Sequence, residues 1–255
     1  MNNLIVSLVQ QVIVPNDPLH NLDTFARSMA TITKTDLIVL PEVFTTGFCA
    51  GARNYAESAG GRAYQWMQMQ AAKHNAVVTG SLVVKEGEAY FNRLVWMRPD
   101  GTYTEYNKRH LFRMAGEHTR YAMGIERVLV EINGWRVLPL ICYDLRFPVW
   151  SRNRNDYDLS LYVANWPSVR SLHWNRLLQA RAIENLSYVV GVNRVGMDEA
   201  GQHYAGDSSV YSAAGELVAT SQEAEVITVE LYAEKLTEYR TIFPANLDAD
   251  GFILQ

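Results

Sequence analysis

Glu42, Lys108 and Cys142 are the residues of this chain whose types and places suit cleavage of a bond through a sulfur nucleophile. Cys142 interrupts the run Val137 to Pro148, Val-Leu-Pro-Leu-Ile-Cys-Tyr-Asp-Leu-Arg-Phe-Pro, whose apolar start bounded by turn residues reads as a strand buried on both faces. Glu42 closes a run of the same form, Asp36-Leu37-Ile38-Val39-Leu40-Pro41-Glu42, and Lys108 follows the run Thr102 to Tyr106. Hydrolysis through a thiol needs a base for the thiol proton and a cation or N–H pair for the oxyanion. A carboxylate, an ammonium and a thiol at strand ends supply those parts, because adjacent strand ends on one sheet edge bring distant residues together. Plainer roles stand beside this one: a Cys can be a small core residue, and Glu and Lys are usual on surfaces.

The elements that must hold these residues follow in order. Leu4 to Val9 reads as a strand, and Leu19, Leu22, Phe25, Ala26, Met29 and Ile32 recur at helical spacing. After the strand that ends near Glu42 comes a loop from Phe44 to Gly61, a helix from Tyr64 to His74 and a strand from Ala76 to Val84. Turns at Glu86-Gly87-Glu88 and Arg98-Pro99-Asp100-Gly101 frame the strands Ala89 to Met97 and Thr102 to Tyr106. Arg127 to Ile132, the Asn133-Gly134 hairpin turn and Trp135 to Ile141 supply two more strands. Asp158 to Ala164, the helix Leu172 to Asn185 and the strand Ser187 to Val195 continue the alternation. Hairpin signals fill the tail from Gly206, with strands at Leu217 to Thr220 and Glu225 to Leu231. Strands mixed with helices throughout predict an α/β sandwich with helices outside, and the lack of linkers or repeats predicts one domain over residues 1–255.

Bulk properties narrow the function classes. A hydrophobic fraction of 48% and a charged fraction of 20% are those of an ordinary globular chain, not a disordered or membrane one. A net charge of −4 without a Lys/Arg cluster leaves no footprint for nucleic acid, so a small solute is the expected partner. The N-terminal segment has no basic leader and its apolar run is too short to span a bilayer, which predicts a cytoplasmic protein without membrane attachment. Two cysteines, Cys49 and Cys142, are too few for a disulfide framework and are expected to be reduced there. No His-Glu-x-x-His, closely spaced Cys pair or glycine-rich phosphate loop is present, which argues against metal catalysis and phosphate-loop chemistry.

Leu40-Pro41-Glu42, Asn107-Lys108-Arg109-His110-Leu111-Phe112 and Ile141-Cys142-Tyr143-Asp144-Leu145-Arg146-Phe147-Pro148 resemble, in that order, the signature segments of the nitrilase superfamily of carbon–nitrogen hydrolases. Ala164-Asn165-Trp166-Pro167, the segment Gln179 to Asn185, Asn193-Arg194-Val195-Gly196 and Gly206-Asp207-Ser208 also match, so the likeness covers nearly the whole chain. It implies a four-layer α-β-β-α sandwich, a Glu-Lys-Cys triad at Glu42, Lys108 and Cys142, and Glu117 as a second, supporting acid. It further implies a homodimer or higher homo-oligomer that needs no cofactor. Among the branches the likeness is strongest to omega-amidases, which implies a small amide substrate carrying a carboxylate, such as 2-oxoglutaramate.

On that reading the backbone N–H of Tyr143 joins Lys108 in holding the oxyanion, and Asn165 and Trp166 line the pocket, with a core Trp as the plain alternative. Arg113, Arg170 and Arg194 are the candidates for a carboxylate anchor, and the sequence does not choose among them. Asp144 and Arg146 are expected to pair as a brace, and Cys49 to be structural. Two other readings use the same residues: a His-based thiol hydrolase working through His110, and a non-catalytic binding module on the same sandwich.

Overall fold

A computed structural model describes residues 1–254. In chain order the elements are β1 (Leu4–Gln10), α1 (Pro18–Met29), β2 (Leu37–Val39), α2 (Arg62–His74), β3 (Val77–Glu86), β4 (Ala89–Met97) and β5 (Tyr103–Asn107). They continue with β6 (Val130–Ile132), β7 (Trp135–Ile141), α3 (Pro148–Ser151), β8 (Leu159–Val163), α4 (Ser171–Asn185) and β9 (Tyr188–Val192). The last are β10 (Val195–Met197), β11 (His203–Ala205), β12 (Ser208–Tyr211), β13 (Leu217–Ser221), β14 (Glu225–Leu231) and α5 (Ala233–Ile242).

Alternation along the strands builds the layers. Leu37 and Val39 of β2 face a core shared with the second sheet, whereas Ile38 between them faces α1 and α2. Leu94 and Trp96 of β4 divide from Val95 and Met97 in the same way, as a two-residue side-chain period requires. The first sheet runs β14-β1-β2-β3-β4-β5, with β1, β2 and β3 parallel and the remaining pairings antiparallel. The second runs β13-β12-β9-β8-β7-β6, with β7, β8 and β9 parallel. Val137, Leu140, Leu159 and Leu161 of the second sheet bury themselves with Leu4, Val6 and Trp96 of the first. Leu22, Phe25 and Met29 of α1 and Tyr64 and Met67 of α2 cover the first sheet's outer face. On the other side α4 lies so close to β9 that a Cβ on Gly191 would come within 2.5 Å of Leu178. The four-layer α-β-β-α sandwich implied by the sequence resemblance is therefore the observed fold.

Three local readings change. The strand expected from Arg127 begins only at Val130, because the Arg127 guanidinium is bound by Asp156 at 2.5 and 3.1 Å and holds its segment off the sheet edge. The stretch Ser187 to Val195 divides into β9 and β10. At the break, Asn193 gives its backbone N–H to Ser208 Oγ and its side-chain N–H groups to the carbonyls of Trp166 and Gly206. Helix α5 was not anticipated: only Ala233 and Leu236 are buried, too few to leave an apolar stripe in the sequence. No helix among the described residues is long and apolar enough to cross a membrane.

The topology gathers strand ends. β2, β3 and β5 run in one direction in the first sheet, so the chain leaves β2 toward Glu42 and β5 toward Lys108 on the same edge. β7 and β8 are parallel neighbours in the second sheet and deliver Cys142 and Asn165. Gly80 of β3 sets the clearance for the segment that carries Glu42, since a Cβ there would sit 2.8 Å from Leu40 Cβ and 3.0 Å from the Phe44 ring. Gly80→Ala is expected to cost about 1–3 kcal/mol in urea denaturation by overpacking this contact, and to lower turnover as Glu42 shifts. Unchanged stability and turnover would show that the segment adjusts freely.

Candidate active site

Cys142 is the first residue after β7 and opens a 3-10 turn, Cys142–Arg146. Its φ of +44° lies in the left-handed region, a conformation that costs a non-glycine residue about 1–3 kcal/mol and persists only where its surroundings fix it. Asp144 helps fix it by accepting the Ile141 N–H at 3.0 Å. The thiol stays partly open to a cavity, although the atoms packed around it exclude bulk water from most of its surface. Tyr143 is the second residue of the turn, and its N–H has no acceptor inside the turn, as at any helix start.

Lys108 and Glu42 arrive from the other sheet, both buried. Lys108 Nζ donates to Glu42 Oε1 at 2.8 Å and to both Glu117 oxygens at 3.0 Å. Glu42 accepts two further N–H groups, from Asn92 Nδ2 to Oε1 and from the Asn165 backbone to Oε2, each at 2.8 Å. Asn165 Nδ2 donates to the Glu42 carbonyl at 2.5 Å, so one residue fixes both the backbone and the carboxylate of Glu42. Val43, next in the chain, is held at φ +44° with its N–H on Ser81 Oγ at 2.8 Å. Glu117 is fully buried behind Lys108 and also accepts the Phe112 N–H at 2.6 Å.

Charge and burial oppose each other here. Burial alone would depress the Lys108 ammonium, but the charges of Glu117 and Glu42 outweigh it and hold its pKa well above the ordinary lysine range. Burial, the Glu42 charge and a hydrogen bond to Glu42 push the Cys142 thiol well above its usual range, against the pull of Lys108. The resting sulfur is therefore a protonated thiol beside a carboxylate. Such an arrangement can pass the proton from sulfur to Glu42 as the sulfur attacks.

The expected Asp144–Arg146 pair is absent, and each residue has other partners. Asp144, fully buried, accepts from Tyr106 OH at 2.7 Å and from the His110 backbone N–H at 3.0 Å, and its Oδ1 lies 2.8 Å from His110 Nδ1. It thereby ties the segment after Lys108 to the turn that carries Cys142. His110 stacks on Phe147, with ring centroids 3.8 Å apart, which makes it part of this tie and not a base beside the sulfur. Arg146 instead lies over the Trp166 ring at 4.9 Å, with Nη2 3.0 Å from His173 Nδ1.

A cavity of about 290 Å³, the size for a small solute, is lined by Glu42, Lys108, Cys142, Tyr143, Asn165 and Trp166 together. Arg170 also lines it. Arg113 is exposed and is not among the lining residues, and Arg194 is buried with its guanidinium spent on the carbonyls of Ile13, Val195 and Met197. Cys49 lines the cavity too, its thiol directed to Asn16 Oδ1 at 3.2 Å and the Thr46 carbonyl at 3.5 Å. Sequence reasoning missed Asn92, which bonds Glu42, and Phe48, whose ring lies 5.2 Å from Lys108 Nζ. An Asn inside an apolar strand was the available signal for the first. Among the described residues no group of three or more His, Cys, Asp or Glu is placed to hold a metal ion.

Two stacked sheets between helices thus bring an acid, an ammonium and a thiol together at one small cavity. The model of the carbon-nitrogen hydrolase family matches residues 5–241, and the chain belongs to that family. It is 52% identical to the omega-amidase YafV of Escherichia coli (strain K12) over 258 residues, covering 100% of both chains. It is 34% identical to the 2-oxoglutaramate amidase of Bacillus subtilis (strain 168) over 215 residues, covering 82% of this chain and 83% of that one. Among solved structures it is similar to the CN-hydrolase superfamily protein XC1258 of Xanthomonas campestris. There the TM-score is 0.98 and the identity 46%, with both chains covered completely.

Two outcomes are expected from this geometry. Glu42→Gln removes a negative charge beside the sulfur, so the pH profile of Cys142 alkylation by iodoacetamide should move to lower pH, toward an ordinary thiol, as mass spectrometry would read it. A profile that stays in place or moves upward would mean that Glu42 does not govern the thiol. Asp144→Asn turns an acceptor into a donor among hydrogen-bond donors and should cost about 1–3 kcal/mol of stability. Its kcat should fall more than its KM rises; a pure KM effect would contradict a role in holding the two segments together.

Proposed function

We propose that the protein is an omega-amidase that hydrolyses the terminal amide of short dicarboxylic acid monoamides, 2-oxoglutaramate among them, to the acid and ammonia. The observation that carries this reading is the meeting of Glu42 and Lys108 at the Cys142 end of one small cavity. The substrate class is supported by the relatives, one named an omega-amidase and another a 2-oxoglutaramate amidase.

In the proposed sequence Glu42 takes the proton from Cys142 Sγ while the sulfur attacks the amide carbon. The oxyanion so formed is held by the Lys108 ammonium and the Tyr143 N–H; loss of one such donor typically costs roughly 3 kcal/mol of barrier. The C–N bond then breaks, Glu42 returns its proton to the leaving nitrogen, and ammonia departs from a thioester. Glu42 next takes a proton from water, the hydroxide adds to the thioester carbon, and the C–S bond breaks as the sulfur regains its proton. One water is consumed, and one acid and one ammonia are formed. Glu117 positions Lys108, and Asn165 and Asn92 position Glu42. Trp166 forms part of the cavity wall.

Asn165 has a second role in this reading. Its side-chain oxygen is buried and without a partner among the described residues, and Asn165 lines the cavity, so the oxygen is available to accept from the substrate amide. The chain is taken to work as a homodimer or higher homo-oligomer, supported by the family resemblance. Ammonia release should favour short dicarboxylic monoamides over simple aliphatic amides, nitriles and carbamoyl compounds, and Cys142→Ala should abolish it while thermal unfolding stays cooperative. Equal rates on all four groups would remove the substrate assignment, and near wild-type release by Cys142→Ala would remove the mechanism.

A further inference from the structure

The whole chain carries a net charge of −4, yet its cavity has the opposite character. Four cationic side chains line it, Lys108, Arg120, Arg146 and Arg170, against two carboxylates, Glu42 and Asp198. Both carboxylates are occupied. Glu42 is bound to Lys108, and Asp198 accepts the N–H groups of Ala200 and Gln202 on Oδ1 and the Tyr204 hydroxyl on Oδ2, each at 2.9 Å. No described carboxylate pairs with Arg146 or Arg170.

These two guanidinium groups are held in place by rings instead of acids. Arg146 lies over Trp166 at 4.9 Å, with one Nη on His173, which leaves its other N–H groups without an acceptor among the described residues. Arg170 lies 5.6 Å from the Phe112 ring centroid, and its carbonyl accepts the Trp166 Nε1–H at 2.9 Å. Trp166 therefore links the two residues, by its face to Arg146 and by its edge to the backbone of Arg170. A guanidinium that is fixed by an aromatic face and lacks a counter-ion presents a planar fork to a carboxylate.

We infer that Arg170 and Arg146 form an anion subsite that takes the remote carboxylate of the amide substrate and sets the preference for dicarboxylic monoamides over neutral amides. The inference rests on the amidase reading above and assigns it the anchor that reading lacks. It also selects among the arginines considered from sequence: Arg170 is kept, Arg146 is added, and Arg194 and Arg113 are set aside.

The test compares glutaramate with pentanamide, which has the same number of chain carbons and no carboxylate. Relative to wild type, the ratio of kcat/KM for glutaramate over pentanamide should fall roughly 10- to 100-fold in Arg170→Gln, in Arg146→Gln and in the double variant, chiefly through KM for glutaramate. Arg170→Lys, which keeps the charge but loses the fork, should fall between wild type and Arg170→Gln. A second measurement needs no turnover: glutarate should protect Cys142 from iodoacetamide in wild type, at roughly 10-fold lower concentration than in Arg170→Gln. An unchanged ratio with unchanged protection overturns the subsite while ammonia release still supports the amidase. Absence of any ammonia release by wild type overturns the amidase reading, and the protection assay then decides the subsite by itself.

Discussion

The structure depends on keeping one ammonium group charged in a place without water. Lys108 Nζ is buried, and burial of an isolated ammonium is expensive enough that the group would otherwise give up its proton. Two carboxylates prevent this. Glu42 and Glu117 bracket the ammonium at 2.8 and 3.0 Å, and each carboxylate is in turn held by N–H donors from elsewhere. Asn92, the Phe112 backbone and the Asn165 backbone come from different segments, so the charge cluster joins one sheet to the other. Correct burial of the ion group and correct docking of the sheets are thus the same event.

Strain is placed where precision is needed. Cys142 and Val43 both adopt φ +44°, and they are the residues at, or next to, the two strand ends that must meet. For a β-branched residue such as Val43 that conformation is a marked outlier. It turns the backbone so that the Val43 N–H reaches Ser81 and the preceding carboxylate faces across to the second sheet, where the Asn165 N–H donates to it. Asp144 does the equivalent for the sulfur. By binding Ile141, Tyr106 and His110, it sets the end of β7 against the segment that carries Lys108.

Strand ends were legible in the sequence because apolar runs that stop at Pro or at a polar residue are a local signal. Glu42 and Cys142 each sit at such a stop, and Lys108 follows a strand marked by the turn before it. The layer order was legible only through resemblance, since Leu37-Ile38-Val39 is apolar at every position and shows a strand buried on both faces without saying what covers each. What was not legible depends on partners distant in the chain. Asp144 and Arg146 are two residues apart and of opposite charge, which suggests a pair. In the turn, however, Asp144 points inward to Tyr106 and His110 while Arg146 points outward to Trp166. Arg194 looked like a free cation, but three backbone carbonyls take its guanidinium. Asn92 carried only the weak signal of a polar residue within an apolar strand, and its target lies 50 positions away in sequence.

The charge count of the cluster explains why a raised thiol pKa is compatible with nucleophilic chemistry. With Cys142 protonated, one ammonium and two carboxylates leave a single net negative charge in a buried volume. Losing the thiol proton to solvent would add a second, and burial together with the Glu42 charge opposes that. Moving the same proton from sulfur to Glu42 leaves the total unchanged. The step that the environment resists is ionisation to water, and the step it permits is transfer within the cluster. In the proposed mechanism, negative charge passes from Glu42 through the sulfur to the substrate oxygen as the sulfur attacks, and the ammonium that held the carboxylate is already in place to hold the oxyanion. A site arranged in this way spends little on reorganisation, because its cation stays charged and in position from the resting state onward.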